Sequence, residues 1–316
     1  MATVTGPLTD FVPSAGLRWL VVAHPAELAH DPAFHEALEL LLPTPRLAAF
    51  AVSSGLDLRE VTTGLAAGFD YATLYAAECP TGGELVERRF VDRLAGAEHT
   101  ERSEQPTIVR ISGTRADVPE TLVDVRGRFV AVSVGDPTPA RVLELYARRR
   151  LTRSPSALRG AALAALPSSL AAAPIVLYAP GPFSGEWAAG ARGLLGGATA
   201  MAATVVPKGE AIELTVVLAG AFDAVDADRL VSAWTDLEAS SMGKLLSLDQ
   251  PIAPPKAALE DGRLVLRIGL SLRPLATGLR AAVAADVWEI LNIPPPPSGP
   301  ARPAAGSRAA PGGGAR

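Results

Sequence analysis

Thr121-Leu122-Val123-Asp124-Val125-Arg126-Gly127-Arg128-Phe129-Val130-Ala131-Val132-Ser133-Val134 reads as two alternating apolar runs joined at a glycine turn. Val130, Val132 and Val134 fall on one face, the period-two pattern of a strand, and Pro139 then opens a helix. The pattern recurs. Lys256–Leu259 and Arg263–Leu270 flank Asp261-Gly262-Arg263, and a helix with Pro274 near its start follows. Two Gly-centred hairpins, each followed by a proline-opened helix, imply an α+β fold. The expectation is two similar units of mostly antiparallel sheet with helices packed on one face, and an internal duplication is one reading of the pattern.

Working outward, Leu17–Val22 reads as a strand leading into His24-Pro25. Asp31-Pro32 opens a helix that Pro43 and Pro45 stop, and a short helix covers Leu47–Ser53. Asp57 with Glu60 resembles a capping box, which predicts a third helix closed by Gly68. Tyr71–Ala77 is the next strand. Thr81 with Glu84 predicts a helix through Leu94 with Gly96 as its C′ residue. Glu98–Gln105 reads as a polar loop, Thr107–Ser112 as a strand, and Pro139 to about Leu151 as a helix. In the second unit, Ile175–Tyr178, Ala198–Val206 and Ala211–Ala219 are strands, Trp187–Leu195 and Asp226–Ser240 helices, and Pro274–Leu291 the last helix. The expected organisation is a flexible segment at 1–16, a first unit at 17–151, a linker at 152–170 with a short helix, a second unit at 171–292, and a disordered Pro/Gly/Ala-rich tail at 293–316.

Composition limits the function classes. The chain has 316 residues, 48% of them apolar, enough to bury a core; aromatics are only 5%, so that core must be mainly Ala, Leu and Val. A net charge of −4 implies no polyanionic partner, and the chain has only a short basic stretch, so no nucleic acid is expected. Lys208, Lys244 and Lys256 are the only lysines, so 26 of the 29 basic residues are Arg, a bias that GC-rich coding explains better than anion binding does. With Cys79 as the sole cysteine, no internal disulfide or cysteine-rich zinc site can form. No apolar run reaches the ~18 residues of a membrane span. Residues 1–16 carry no signal peptide as written, which makes a cytoplasmic location the default. A start placed too late would conceal an export or lipidation signal and make the protein periplasmic or envelope-anchored.

No constellation of catalytic residues is complete. His24, His30 and His35 lie near Glu27, Asp31, Glu36 and Glu39; His35 with Glu39 is one helical turn apart, yet the set misses metal-ligand spacing and reads better as a solvated, capped helix. His99 has no partner by sequence. Cys79 precedes a helix N-terminus, which would lower a thiol's pKa, but no base is near in sequence. Gly181, Gly185, Gly190, Gly193, Gly196 and Gly197 match neither a P-loop nor a dinucleotide fingerprint. Asp223, Asp226 and Asp228 lack the calcium-loop pattern and suit a helix N-terminus. Arg148, Arg149, Arg150, Arg153 and Arg159 cluster at a helix C-terminus, where cations are favoured. Ser184-Gly185 only echoes a nucleophile elbow, and Pro294–Pro297 reads as polyproline II. No catalytic, cofactor-binding or metal-binding residue is assigned on this basis, and no cofactor is expected.

Val21-Val22-Ala23-His24-Pro25, Gly55-Leu56-Asp57-Leu58-Arg59 and the Pro/Ala-rich tail resemble stretches of the uncharacterised secreted or lipoprotein-type proteins of high-GC bacteria. The resemblance implies a protein of the bacterial envelope; intact architecture signals without readable chemistry point to a non-enzymatic binding or structural role, which a groove between the units, open to a protein partner, would favour. The alternative is a cytoplasmic enzyme whose site is assembled from sequence-distant residues.

Overall fold

The structure is a computed structural model and describes residues 4–80, 82–96, 99–104, 106–150 and 155–284. Its twelve strands are β1 (Leu17–Ala23), β2 (Gly64–Phe69), β3 (Ala72–Glu78), β4 (His99–Glu104), β5 (Thr107–Arg115), β6 (Val118–Val125), β7 (Phe129–Gly135), β8 (Ile175–Pro180), β9 (Ala198–Lys208), β10 (Ala211–Gly220), β11 (Pro251–Glu260) and β12 (Arg263–Ser271). The helices are α1 (Pro25–His30), α2 (Pro32–Leu41), α3 (Thr44–Ser54), α4 (Glu84–Asp92), α5 (Thr138–Ala147), α6 (Glu186–Ala189), α7 (Leu194–Gly197), α8 (Ala224–Ala239), α9 (Ser241–Leu245) and α10 (Leu272–Ala284).

All twelve strands form one antiparallel sheet in the order β11-β12-β10-β9-β8-β1-β2-β3-β7-β6-β5-β4. The halves meet where β1 pairs with β8, Leu20 opposite Tyr178 and Val22 opposite Val176. From that seam the first half runs β1-β2-β3-β7-β6 and the second β8-β9-β10-β12-β11. The Gly127 and Gly262 hairpins therefore hold the same place in each half, and β5 and β4 extend the first half only. This fold is α+β, as the hairpin pattern implies.

Side chains alternate along each strand, so the sheet has two buried faces. On one, Leu20, Val22, Leu74, Phe129, Val176 and Ala202 share a core with Ala140 and Leu143 of α5, with Leu163 of a 3-10 turn and with Leu166 just after that turn. On the other, α8 lies over β11 and β12 and α10 over β12, with α2 packed on α10, while α4 lies over β5–β7. Among the described residues no helix is long and apolar enough to cross a membrane.

Several expectations are corrected. The helix predicted from Asp57 is a single 3-10 turn, Leu58–Glu60, capped by Asp57, and the chain then runs into β2. The run Val61-Thr62-Thr63 crowds a helix at Cβ, and Leu65 and Ala67 gain burial only in a strand. Gly68, expected to close that helix, lies in β2 beneath the Trp19 indole, where a Cβ would sit 2.2 Å from Nε1. The expected loop at Glu98–Gln105 contains β4, polar on both faces, so no alternation marks it. Gly83 is the N-cap of α4, and its C-cap is Arg93, so the C′ residue is Leu94 and not Gly96; Thr81 lies outside the described residues. The connector holds three 3-10 turns (Ala157–Arg159, Leu163–Ala165 and Ser168–Ala172) instead of one helix. Trp187–Leu195 is broken into α6, a 3-10 turn at Ala191–Gly193 and the start of α7. Arg153, Pro294–Pro297 and the expected tail also lie outside the described residues.

Leu20 is fully buried at the seam, in a core fed by both halves. Leu20→Ala should cost about 2–5 kcal/mol. It should shift one shared urea transition, with far-UV circular dichroism and tryptophan fluorescence moving together; two separated transitions would show that the halves unfold independently.

Candidate functional site

The first half holds an apolar cavity of about 540 Å³ on the face that carries α4. Two rows of paired residues cross its floor. One is Val21–Ala66–Tyr75–Val132 and the other Ala23–Gly64–Ala77–Val130. Ala66 in the first row and Ala23, Gly64 and Ala77 in the second are small, so the sheet leaves space that larger side chains would fill. Val86 and Phe90 of α4 form one wall. Phe50 and Ser54 of α3, with Leu56, Leu58 and Val61 after it, form the other. Ligand pockets typically enclose ~300–1,000 Å³ with mainly apolar linings, and this cavity fits both criteria.

The α3 wall is loose. α3 buries none of its residues although its sequence is mostly apolar, and Phe50 stays 41% exposed. Tyr75 on the floor is 51% exposed, so the cavity is open to solvent on this side.

One row beyond the apolar floor, Glu120 stands opposite Val134. Glu120 is buried, with Arg93 Nη2 at 3.0 Å from Oε2 and Arg115 Nη1 at 3.8 Å from Oε1. Arg93 follows the last turn of α4 and lies 4.7 Å from the centre of the Phe90 ring. All three charged side chains border the cavity.

A second charged group sits at the other end of α4. Arg126 reaches Asp124 (3.1 Å), Glu87 (2.7 Å) and Glu84 (3.2 Å). Asp124 is buried, and Gly83 passes so close that a Cβ would lie 2.4 Å from its carboxyl carbon. Burial pushes the Asp124 carboxyl up to about 7; the neighbouring Glu87 carboxyl adds to the rise and Arg126 opposes it. None of Asp124, Glu87 and Arg126 borders the cavity.

The residues singled out in the sequence are dispersed. Glu39 is turned away from metal ligation: its carboxylate accepts from the Thr44 amide and hydroxyl. His24 Nδ1 is 3.0 Å from the Thr62 carbonyl, His30 Nδ1 2.6 Å from that of Ala26, and His99 Nε2 3.1 Å from Glu101. Among the described residues no group of three or more His, Cys, Asp and Glu is placed to hold a metal. Cys79 is buried and its thiol donates to the Gly82 carbonyl. Asp223 and Asp226 form the capping box of α8, and Asp226 pairs with Arg229. The arginines diverge: Arg148 bonds Glu144 and Ser103, and Arg159 bonds Asp10. A second groove is bounded by the start of α2, the turn between β9 and β10, and the start of α10; Asp31, Glu36, Lys208, Glu210 and Arg273 make it polar.

The sequence reading missed the cavity residues. The signal was present in Gly64-Leu65-Ala66-Ala67-Gly68-Phe69, where Gly64 and Ala66 form a hollow face and Leu65 and Ala67 a packed one, but a helix had been expected there.

No family model matches this chain, and no curated protein matches it in sequence. Solved structures of TP0453 resemble it. Crystal form I gives a TM-score of 0.50 at 13% identity over 89% of this chain and 99% of that one. Crystal form III gives 0.48 at 12% identity over 89% and 100%. At such identity the likeness concerns the fold alone.

Asp124 supplies a pH test. Its carboxyl titrates near 7 in the fold against about 3.9 unfolded, so the unfolded chain loses its proton first. The stability from this group is full below about pH 4 and is lost as pH rises through about 7. Asp124→Asn stays uncharged throughout and should gain on the parent by up to about 1.4 kcal/mol per pH unit across that window. Urea unfolding from about pH 5 to about pH 8 reads the difference; a pH-independent difference would refute the assignment.

Proposed function

We propose that this chain is a non-enzymatic binding protein of the bacterial envelope, and that the cavity between β1–β3, β7, α3 and α4 is where it binds an apolar ligand. The observation that carries the reading is the hollow floor: four positions facing the helices, Ala23, Gly64, Ala66 and Ala77, hold residues too small to fill the space beneath α4. A cavity of this size lined by apolar side chains favours burial of hydrocarbon, at about 0.8 kcal/mol per methylene. The envelope assignment draws on the resemblance of the sequence to secreted and lipoprotein-type proteins.

A second reading, an enzyme with a site assembled from distant residues, draws on the buried Asp124 and Glu87. Asp124 is only 1% exposed, however, and it lies outside the cavity, where a substrate could not reach it without local opening.

The test uses N-phenyl-1-naphthylamine, an uncharged dye that brightens in apolar surroundings. It should bind the full chain with one saturable site. Ala66→Phe places a ring in the cavity and should weaken binding about tenfold or more, with the circular dichroism spectrum unchanged. Unaltered binding by this folded variant would remove the cavity as the site.

A further inference from the structure

The apolar cavity ends on an excess of positive charge. Arg93 and Arg115 flank a single carboxylate, Glu120, so the group carries one cation more than it neutralises. Arg115 stands 3.8 Å from that carboxylate, too far for a hydrogen bond, and its side chain is 58% exposed. Arg93 Nε is buried and has no hydrogen-bond partner among the described residues. The Arg93 guanidinium also lies over Phe90, a wall residue, so charge and hydrocarbon adjoin without an intervening polar layer. The remaining acids of α4 do not cancel the charge, since Glu84 and Glu87 are held by Arg126 at the opposite end of the helix and Asp92 pairs with Arg89.

We infer that the cavity takes a single-chain amphiphile with an anionic head, its hydrocarbon along the Ala/Gly floor and its head at Arg93 and Arg115. This inference rests on the cavity reading above. Two features support the head's charge. Guanidinium groups present planar forks of donors that match carboxylate and phosphate oxygens. A cationic head would instead meet two arginines for one acid. The volume of about 540 Å³ suits one acyl chain better than two. A free fatty acid and a lysophospholipid share this chemistry.

Displacement of N-phenyl-1-naphthylamine from the full chain separates the possibilities. Dodecanoate and a lysophosphatidylglycerol of equal chain length are compared with dodecanol, which has the chain but no charge. An anionic competitor should act at about tenfold lower concentration than dodecanol, and the stronger of the two anions identifies the source. Arg115→Gln, at an exposed site with no side-chain hydrogen bond among the described residues, should lower the anion's advantage over dodecanol about fivefold. Glu120→Gln removes the opposing carboxylate and should strengthen the anion. Equal competition by dodecanol and both anions, or an Arg115→Gln variant that binds the anion as the parent does, would overturn the head-group inference while leaving the cavity reading intact. Failure of the dye itself to bind would overturn the cavity reading and this inference with it.

Discussion

The architecture depends on the short antiparallel pairing of β1 with β8. Four residue pairs, Leu20–Tyr178 to Ala23–Ile175, join a seven-stranded half to a five-stranded one. A strand buried on both faces has to supply apolar side chains in both directions, and the seam does so. Leu20 and Val22 point into the core that α5 covers, while Val21 and Ala23 face the cavity. Breaking the seam would expose apolar surface in both halves and leave two new strand edges, each a row of unpaired backbone groups. The connector strengthens the same place, because Ala157, Leu163 and Leu166 enter the core on which both halves draw.

The cavity follows from packing at one remove from this seam. Phe90 and Val86 hold α4 against β5–β7, where Val109, Ile111 and Leu122 fill the interface. Nearer the seam the floor thins to alanine and glycine, and α3, which has no buried residue, does not descend to close the gap. A well-packed core covers one side of α4 and an open apolar space the other. The two charged groups at its ends do different work. The Arg126 group seals Asp124 and Glu87 from solvent at the start of the helix, and Arg93 with Arg115 and Glu120 gives the cavity a polar end at the finish.

Much of the sheet was legible in the sequence. Alternation and glycine turns located β6–β7, β9–β10 and β11–β12, and the proline-opened helices α2 and α5 start where Asp31-Pro32 and Pro139 imply. The misses share a physical cause. β2 has small residues at four of its six positions, so its hydrophobic contrast is low beside the capping pattern at Asp57. β4 has polar residues on both sides and is held by backbone pairing that no side-chain period reports. The site itself was not legible, because a cavity is a property of missing volume: Ala66 beside Tyr75, or Gly64 beside Ala77, has meaning only when the cross-strand register is known. Arg93, Arg115 and Glu120 are likewise brought together by the C-terminus of α4 meeting the β5–β6 hairpin, with no motif linking them. The two halves share a strand order more clearly than a sequence.

The two outer strands bear on how this protein can meet copies of itself. At one end β4 presents His99-Thr100-Glu101-Arg102-Ser103-Glu104, charged along its length. At the other, β11 contains Pro251, Pro254 and Pro255, which offer no amide hydrogens, and its pairing slips twice against β12. A thirteenth strand from a neighbouring molecule would have to bury charge at one edge or forgo hydrogen bonds at the other. Both ends of this wide sheet therefore carry features that oppose the addition of a strand from a second copy.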